Sequence, residues 1–306
     1  MKRKIIRLGN QANILTLPIA WARENGLKPG DEVDLIVTEQ NLMIYPQKHQ
    51  QKKRTITLEL RNDDFHLFRA ELIEAYTLGY DTLIVNSPVK NAKKYLEEIT
   101  SHFFIGFELV KHKNAVYELE NISEPEEQKF DTIFRKMFQL CLEVFRNLVE
   151  GNDGQVQDKL EKMEKYNNFC KRCITKRIFS VEKEAIPHLW LLLSYLTKFK
   201  IAFAAFIADM GKGKLEKEDV KILKSLQDEL SQLHHSFYTY DIELATRVYE
   251  GNKKLLHQKI YALKPKDRKG MMAYSHIFEF QRLVSYMTAP IIALSLHRKN
   301  LQTKKD

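Results

Sequence analysis

The first twenty-three residues contain no acid, and the whole chain of 306 residues contains only three cysteines. The cysteines are Cys141, Cys170 and Cys173. An odd count at uneven spacing excludes a disulfide framework and predicts a reducing, cytoplasmic setting. Also missing are the G-x-x-x-x-G-K-[ST], G-x-S-x-G and H-E-x-x-H strings, so no phosphate-cradling, nucleophile-elbow or zincin chemistry is legible. The sequence therefore predicts neither enzymatic activity nor a cofactor. There is no secretory leader pattern, because the N-terminus reads as strands. The most apolar window, Ile186 to Met210, contains Lys198 and Lys200 and opens on Pro187 and His188. Charge inside a lipid-spanning segment is costly, so a buried helix is expected there rather than a membrane span.

What is present is cation. The net charge is +9, with hydrophobic residues at 44% and charged residues at 29%. The start of the chain is one-sided, since Lys2, Arg3, Lys4, Arg7 and Arg23 precede the first acid, Glu24. Such one-sidedness suits a polyanionic partner. The length fits two or three domains.

Hydrophobic periodicity and turn residues divide the chain into three parts. Residues 1–47 read as a short strand over 3–8, a Gly9-Asn10 turn, a strand over 13–17, a short helix opened by Pro18 and stopped at Asn25-Gly26, and a strand pair over 32–37 and 42–45. Such a small strand unit buries little by itself, which predicts an intertwined homodimer. After the polar, basic stretch Gln47 to Arg54, residues 54–121 read as β-α-β-α-β-β. That is a small α/β sandwich, with a ferredoxin-like arrangement as one form it could take. From 125 to 300 the pattern is helical, with helices near 125–150, 153–179, 183–211, 216–238, 241–263 and 267–298. Asp153 and Asp241 are the expected caps of the second and fifth. The string Leu193-Ser194-Tyr195-Leu196-Thr197 returns as Val284-Ser285-Tyr286-Met287-Thr288, which predicts two copies of a three-helix unit. The fold class expected is α+β: a swapped-hairpin barrel, a small α/β sandwich and a pair of three-helix bundles.

Two resemblances follow from these residues. Leu8-Gly9-Asn10, Leu17-Pro18, Trp21-Ala22 and Gly26-Leu27-Lys28-Pro29-Gly30-Asp31-Glu32-Val33 make residues 1–46 resemble the AbrB/MazE/SpoVT family of swapped-hairpin DNA-binding domains. The resemblance implies that Lys2, Arg3, Lys4 and Arg7 meet phosphates and that Asn10, Gln11 and Asn13 hydrogen-bond backbone or base edges. Ala12 stands where many relatives carry a small polar residue. The helical region is similar, in architecture and repeat, to the PhoU family of paired three-helix bundles. An archaeal-type fusion of the two is implied. That family's metal-binding members carry acids that this chain largely lacks. Glu164 is retained, Asn168 and Asn252 replace acids, and Ser194 and Ser285 stand in the third helix of each repeat. Multinuclear clusters need several carboxylates, so no metal is expected.

Cys170-Lys171-Arg172-Cys173 is a CxxC string inside a helix, with no second ligand pair. It reads as packing rather than as zinc or redox chemistry. The resulting expectation is a DNA-binding transcriptional regulator tied to phosphate uptake or signalling, partnered by DNA and by a transporter ATPase or signalling protein. Two alternatives stand beside it. One is an adaptor that does not bind DNA and uses its first domain to dimerise. The other is an antitoxin.

Overall fold

The computed structural model describes residues 3–9, 12–37, 42–46, 53–123, 127–151, 156–176, 184–211 and 215–302. The fold is α+β, and the chain divides into two units, Met1–Arg54 and Thr55–Asp306.

In the first unit, β1 (Ile5–Leu8) and β2 (Ala12–Leu15) form an antiparallel hairpin, followed by α1 (Ile19–Glu24). A second antiparallel hairpin joins β3 (Val33–Val37) to β4 (Leu42–Pro46). The turns follow from their residues. Pro18 precedes the helix rather than lying within its first turn, and its carbonyl accepts the first helical bond from Ala22. Gly26, at φ 68°, takes the left-handed conformation that closes the helix. The Asp31 carboxylate then accepts from the Lys28 amide at 2.7 Å, setting the turn into β3.

In the second unit, β5 (Thr55–Glu59), β6 (Thr82–Asn86), β7 (Phe107–Lys113) and β8 (Val116–Asn121) form one sheet in the order β5-β6-β8-β7. β5 and β6 are parallel, and β8 runs antiparallel to both its neighbours. The element order β-α-β-α-β-β is the one expected from sequence. The ferredoxin-like form is not, because that fold places its two adjacent strands between the helices, whereas here the hairpin follows both. Asn114, at φ 56°, makes the hairpin turn between β7 and β8.

α2 (Phe65–Thr77) starts from Asp64, whose carboxylate accepts from the His66 amide at 2.8 Å. α2 and α3 (Ala92–Phe103) cover the sheet face that carries Leu83, Val85 and Leu119, through Phe68, Leu72, Leu96 and Ile99. α3 ends at Phe103, and Phe104 follows it in an extended conformation. Phe104 stacks on Tyr76 at 4.4 Å between ring centroids, and the aromatic run is spent on that contact.

Six helices follow: α4 (Glu127–Glu150), α5 (Val156–Lys176), α6 (Ile186–Met210), α7 (Lys217–Thr239), α8 (Ile242–Leu255) and α9 (Arg268–Gln302). A π-helical turn, Leu256–Ile260, extends α8. Asp241 caps α8 by accepting from the Leu244 amide at 2.9 Å, while Asp153 lies outside the described residues. α6 is the one helix among the described residues long and apolar enough to cross a membrane. Its Leu192, Leu193, Leu196, Phe199 and Phe203 are buried in the larger hydrophobic cluster, formed by α4 to α9.

The repeated string has a structural counterpart. α6 and α9 pack antiparallel, and the equivalent residues Tyr195 and Tyr286 meet with ring centroids 5.7 Å apart. Phe199 lies parallel to Phe280 at 6.3 Å, and Phe206 meets His276 edge-on at 5.5 Å. The seam therefore brings the equivalent residues Tyr195 and Tyr286 together and continues along both helices in opposite directions.

Candidate nucleic-acid interface

The first unit exposes what a folded domain ordinarily hides. Its helix has no buried residue. Ile5 (70% exposed), Ile6 (54%), Leu8, Ile14, Leu15, Ile19, Leu35, Val37 (75%) and Leu42 all present apolar surface to solvent. Register places these side chains on both sides of the strands. Ile5 opposes Leu15 on one face of the first hairpin, and Ile6 opposes Ile14 on the other, so both faces carry apolar side chains. In the second hairpin Leu35 opposes Ile44 and Val37 opposes Leu42 on one face. A patch of this extent marks an interaction surface.

Cations border it. Arg7 sits in β1 directly opposite Asn13, so these two expected contact residues share a face. Arg3 and Lys4 are exposed just before β1. Lys2, Asn10 and Gln11 lie outside the described residues. The structure thus brings Arg7 and Asn13 together, with Arg3 and Lys4 at the strand entrance. Ala12 opposes Leu8.

Glu164, Asn168, Ser194, Asn252 and Ser285 all lie in the second unit. Glu164, on α5, is paired with Arg69 of α2 and accepts from Lys200 Nζ of α6 at 2.6 Å. Burial pushes this carboxyl up, but the hydrogen bonds from Lys200 and Arg69 outweigh it and hold Glu164 below the usual carboxylate range. Its charge is thus answered by side-chain cations. Asn168 donates to the Phe103 carbonyl at 3.3 Å, and Ser194 donates to the Trp190 carbonyl within its own helix. The Ser285 carbonyl accepts from Thr288. Asn252 is fully buried and links three helices: it donates to Glu229 of α7 at 2.7 Å and accepts from Gln281 of α9 at 2.7 Å. No group of three or more His, Cys, Asp or Glu side chains suited to a metal ion occurs among the described residues.

Burial raises Glu229 to about 7 against the hydrogen bond from Asn252, and the Asp228 charge adds to the rise. The folded state therefore binds a proton that the unfolded chain releases at lower pH. The contribution to stability is fully present below the ordinary glutamate range and is lost as pH rises through about 7. Glu229→Gln keeps an acceptor for Asn252 and removes the ionising group. It should raise the melting temperature at pH 8 by a few degrees and flatten its dependence between pH 5.5 and 8, as thermal unfolding at the two pH values will read. An unchanged pH dependence would refute this role.

The CxxC string is packing. Cys170 and Cys173 are fully buried, and burial holds the Cys170 thiol well above its usual range. Between them lies a group that sequence reasoning missed. Arg172, 1% exposed, donates to the carbonyls of Tyr76 (2.9 Å) and Tyr80 (2.7 Å) and to the Asp81 carboxylate (2.8 Å). Lys176 reaches the same Asp81 oxygen at 2.5 Å. This buried cluster ties α5 to the sheet and α2. Its one sequence signal is the spacing: Arg172 falls within the buried stripe that Phe169, Cys170 and Cys173 define.

Residues 6–52 match the family model described as antidote-toxin recognition MazE, bacterial antitoxin. An antidote-type domain of the MazE/AbrB kind thus occupies the N-terminal unit. The match covers most of both exposed hairpins and includes Arg7 and Asn13. No curated protein and no solved structure matches the chain.

Proposed function

We propose that this protein is a dimeric DNA-binding transcriptional regulator. The observation that carries the reading is the N-terminal unit, in which two hairpins with uncovered apolar faces lie beside Arg3, Lys4 and Arg7, within an antidote-type domain. In this reading two copies interleave their hairpins into one swapped-hairpin barrel. That step buries Ile6, Leu8 and Ile14, on the hairpin face opposite Arg7 and Asn13, together with Leu35 and Val37, and gathers both sets of cations on one surface. Lys2 and Asn10 join Arg3, Lys4, Arg7 and Asn13 at the DNA.

The helices α4–α6 and α7–α9 act as a pair of three-helix bundles that takes the regulatory input. The meeting of Tyr195 with Tyr286 supports the two-copy arrangement. Resemblance alone suggests a phosphate-responsive input through a transporter or signalling protein in an archaeal-type fusion. The protein acts in the cytoplasm, performs no catalysis and needs no cofactor.

Arg3→Ala with Arg7→Ala removes four cations per dimer. If these meet phosphates, the slope of log affinity against log salt should become shallower by about 2–4, with affinity near 0.1 M salt falling at least about tenfold. Titration of the full chain against duplex DNA at several salt concentrations reads both. Unchanged affinity and slope would leave the N-terminal unit as a dimerisation device on an adaptor. The description of the matched family favours one second reading, an antidote whose apolar strands are covered by a toxin. That reading predicts a stable complex with a second, different protein and no DNA affinity.

A further inference from the structure

The chain's charge is concentrated far from its N-terminus. Residues 253–269 hold Lys253, Lys254, Lys259, Lys264, Lys266, Arg268 and Lys269 against one acid, Asp267. That is a net +6 of the chain's +9 in seventeen residues. All seven cations are exposed. None of them takes part in the salt bridges found among the described residues, whereas Glu164, Asp81 and Glu118 elsewhere all attract a lysine or arginine. The single acid is already engaged, since the Asp267 carboxylate accepts from the Gly270 amide at 2.7 Å and so caps α9. Like charges this close repel, and a single carboxylate in the segment offsets one of the seven.

The backbone concentrates the effect. Lys253 and Lys254 end α8, where cations also suit the helix dipole. The helix then widens into the π-helical turn that carries His257 and Lys259, an irregularity common at functional sites. Lys253, Lys254, His257 and Gln258 line a shallow open groove together with Glu250. Beside it Tyr261, 53% exposed, lies edge-on to His257 at 5.4 Å and roughly parallel to Phe278 at 6.3 Å. The loop to α9 adds Lys264 and Lys266.

We propose that this tip of the helical unit is a second nucleic-acid surface, which binds the phosphate backbone of duplex DNA without reading its sequence. The inference rests on the DNA-binding reading for its biological sense but not for its chemistry. Flexible lysines around a shallow groove suit a row of phosphates and give position without specificity. An anionic membrane is a poorer fit, because a helix seated on lipid presents a broad apolar face, and the large apolar side chains exposed in this segment reduce to Tyr261, with Met271 beyond it. The helical half would then add sequence-independent affinity to the contacts of the N-terminal unit.

The test uses the full chain with Lys253→Gln, Lys254→Gln, Lys259→Gln and Lys266→Gln combined. These exposed substitutions leave the core intact, which circular dichroism will verify. Binding to a duplex of arbitrary sequence should weaken at least about tenfold at 0.05 M salt, with a salt slope shallower by about 2–4. Arg3→Ala with Arg7→Ala, measured in parallel, separates the two claims. If only that variant loses affinity, the second surface is overturned and the N-terminal reading stands. If only the four-lysine variant loses affinity, the second surface stands and the N-terminal reading fails. Loss of binding to vesicles containing anionic phospholipid, with DNA binding unchanged, would overturn the proposal in favour of a lipid surface.

Discussion

Asp81→Asn is expected to destabilise residues 55–306 by about 3–5 kcal/mol, the usual cost of removing one partner from a buried ion pair. The reason lies in where the charges sit. Asp81, Arg172 and Lys176 are all buried, and Arg172 and Lys176 converge on one carboxylate oxygen. Taking those cations out of water is tolerable only because Asp81 and the carbonyls of Tyr76 and Tyr80 receive them. With asparagine in place, two buried cations face a neutral amide. Arg172→Met should cost less, since Lys176 still balances Asp81, although two carbonyls lose their donor. The double variant should fall short of the sum of the singles by about 0.5–3 kcal/mol, as coupled neighbours do. Denaturant unfolding of the four proteins measures all three quantities. A midpoint for Asp81→Asn indistinguishable from wild type would show that the cluster carries no stability.

Leu35→Glu is expected to produce a monomer and, with it, to abolish measurable DNA binding. Leu35 opposes Ile44 on the hairpin face that also carries Val37 and Leu42, and more than half of its surface is open in a single copy. If that face closes against a second chain, two carboxylates enter the new core per dimer, each penalised by several kcal/mol without a partner. Mass measured by light scattering during gel filtration should halve. Residues 55–306 should melt unchanged, because that unit has hydrophobic clusters of its own. A variant that keeps the wild-type mass would show that the strand faces are not the dimer contact.

How far the structure was legible in the sequence depended on the range of the interaction. Turns and helix ends were legible because they are local: Asn25-Gly26 and Asp241 settle a helix stop and a cap within a few residues. The six long helices were legible because a buried stripe recurs with the helical period. Less visible were the destinations of polar side chains inside those helices. Arg172 between two cysteines looked like the solvated middle of a CxxC string, and its partners lie more than ninety positions earlier. Glu164 looked like a remnant metal ligand, yet the structure answers it with Arg69 and Lys200 from two other helices. Asn252 looked like a lost acid and is instead the middle of a buried chain from Glu229 to Gln281. Sequence pattern shows that a position faces inward, but not which distant group meets it. At the N-terminus the short strand expected over residues 3–8 is present as β1, and the exposure of Ile5 and Ile6 on its opposite faces is a property that reading it as a strand does not show.

The seating of Arg172 has a consequence for cooperativity. The last turn of α2 gives up one carbonyl, and the loop to β6 a second carbonyl and a carboxylate, to a single side chain on α5. Sheet and helices therefore have no independent melting behaviour to offer. Loosening α5 would uncap the entry to β6, the strand on which both parallel and antiparallel pairings depend. Residues 55–306 should thus lose structure in a single transition, even though two hydrophobic clusters built them.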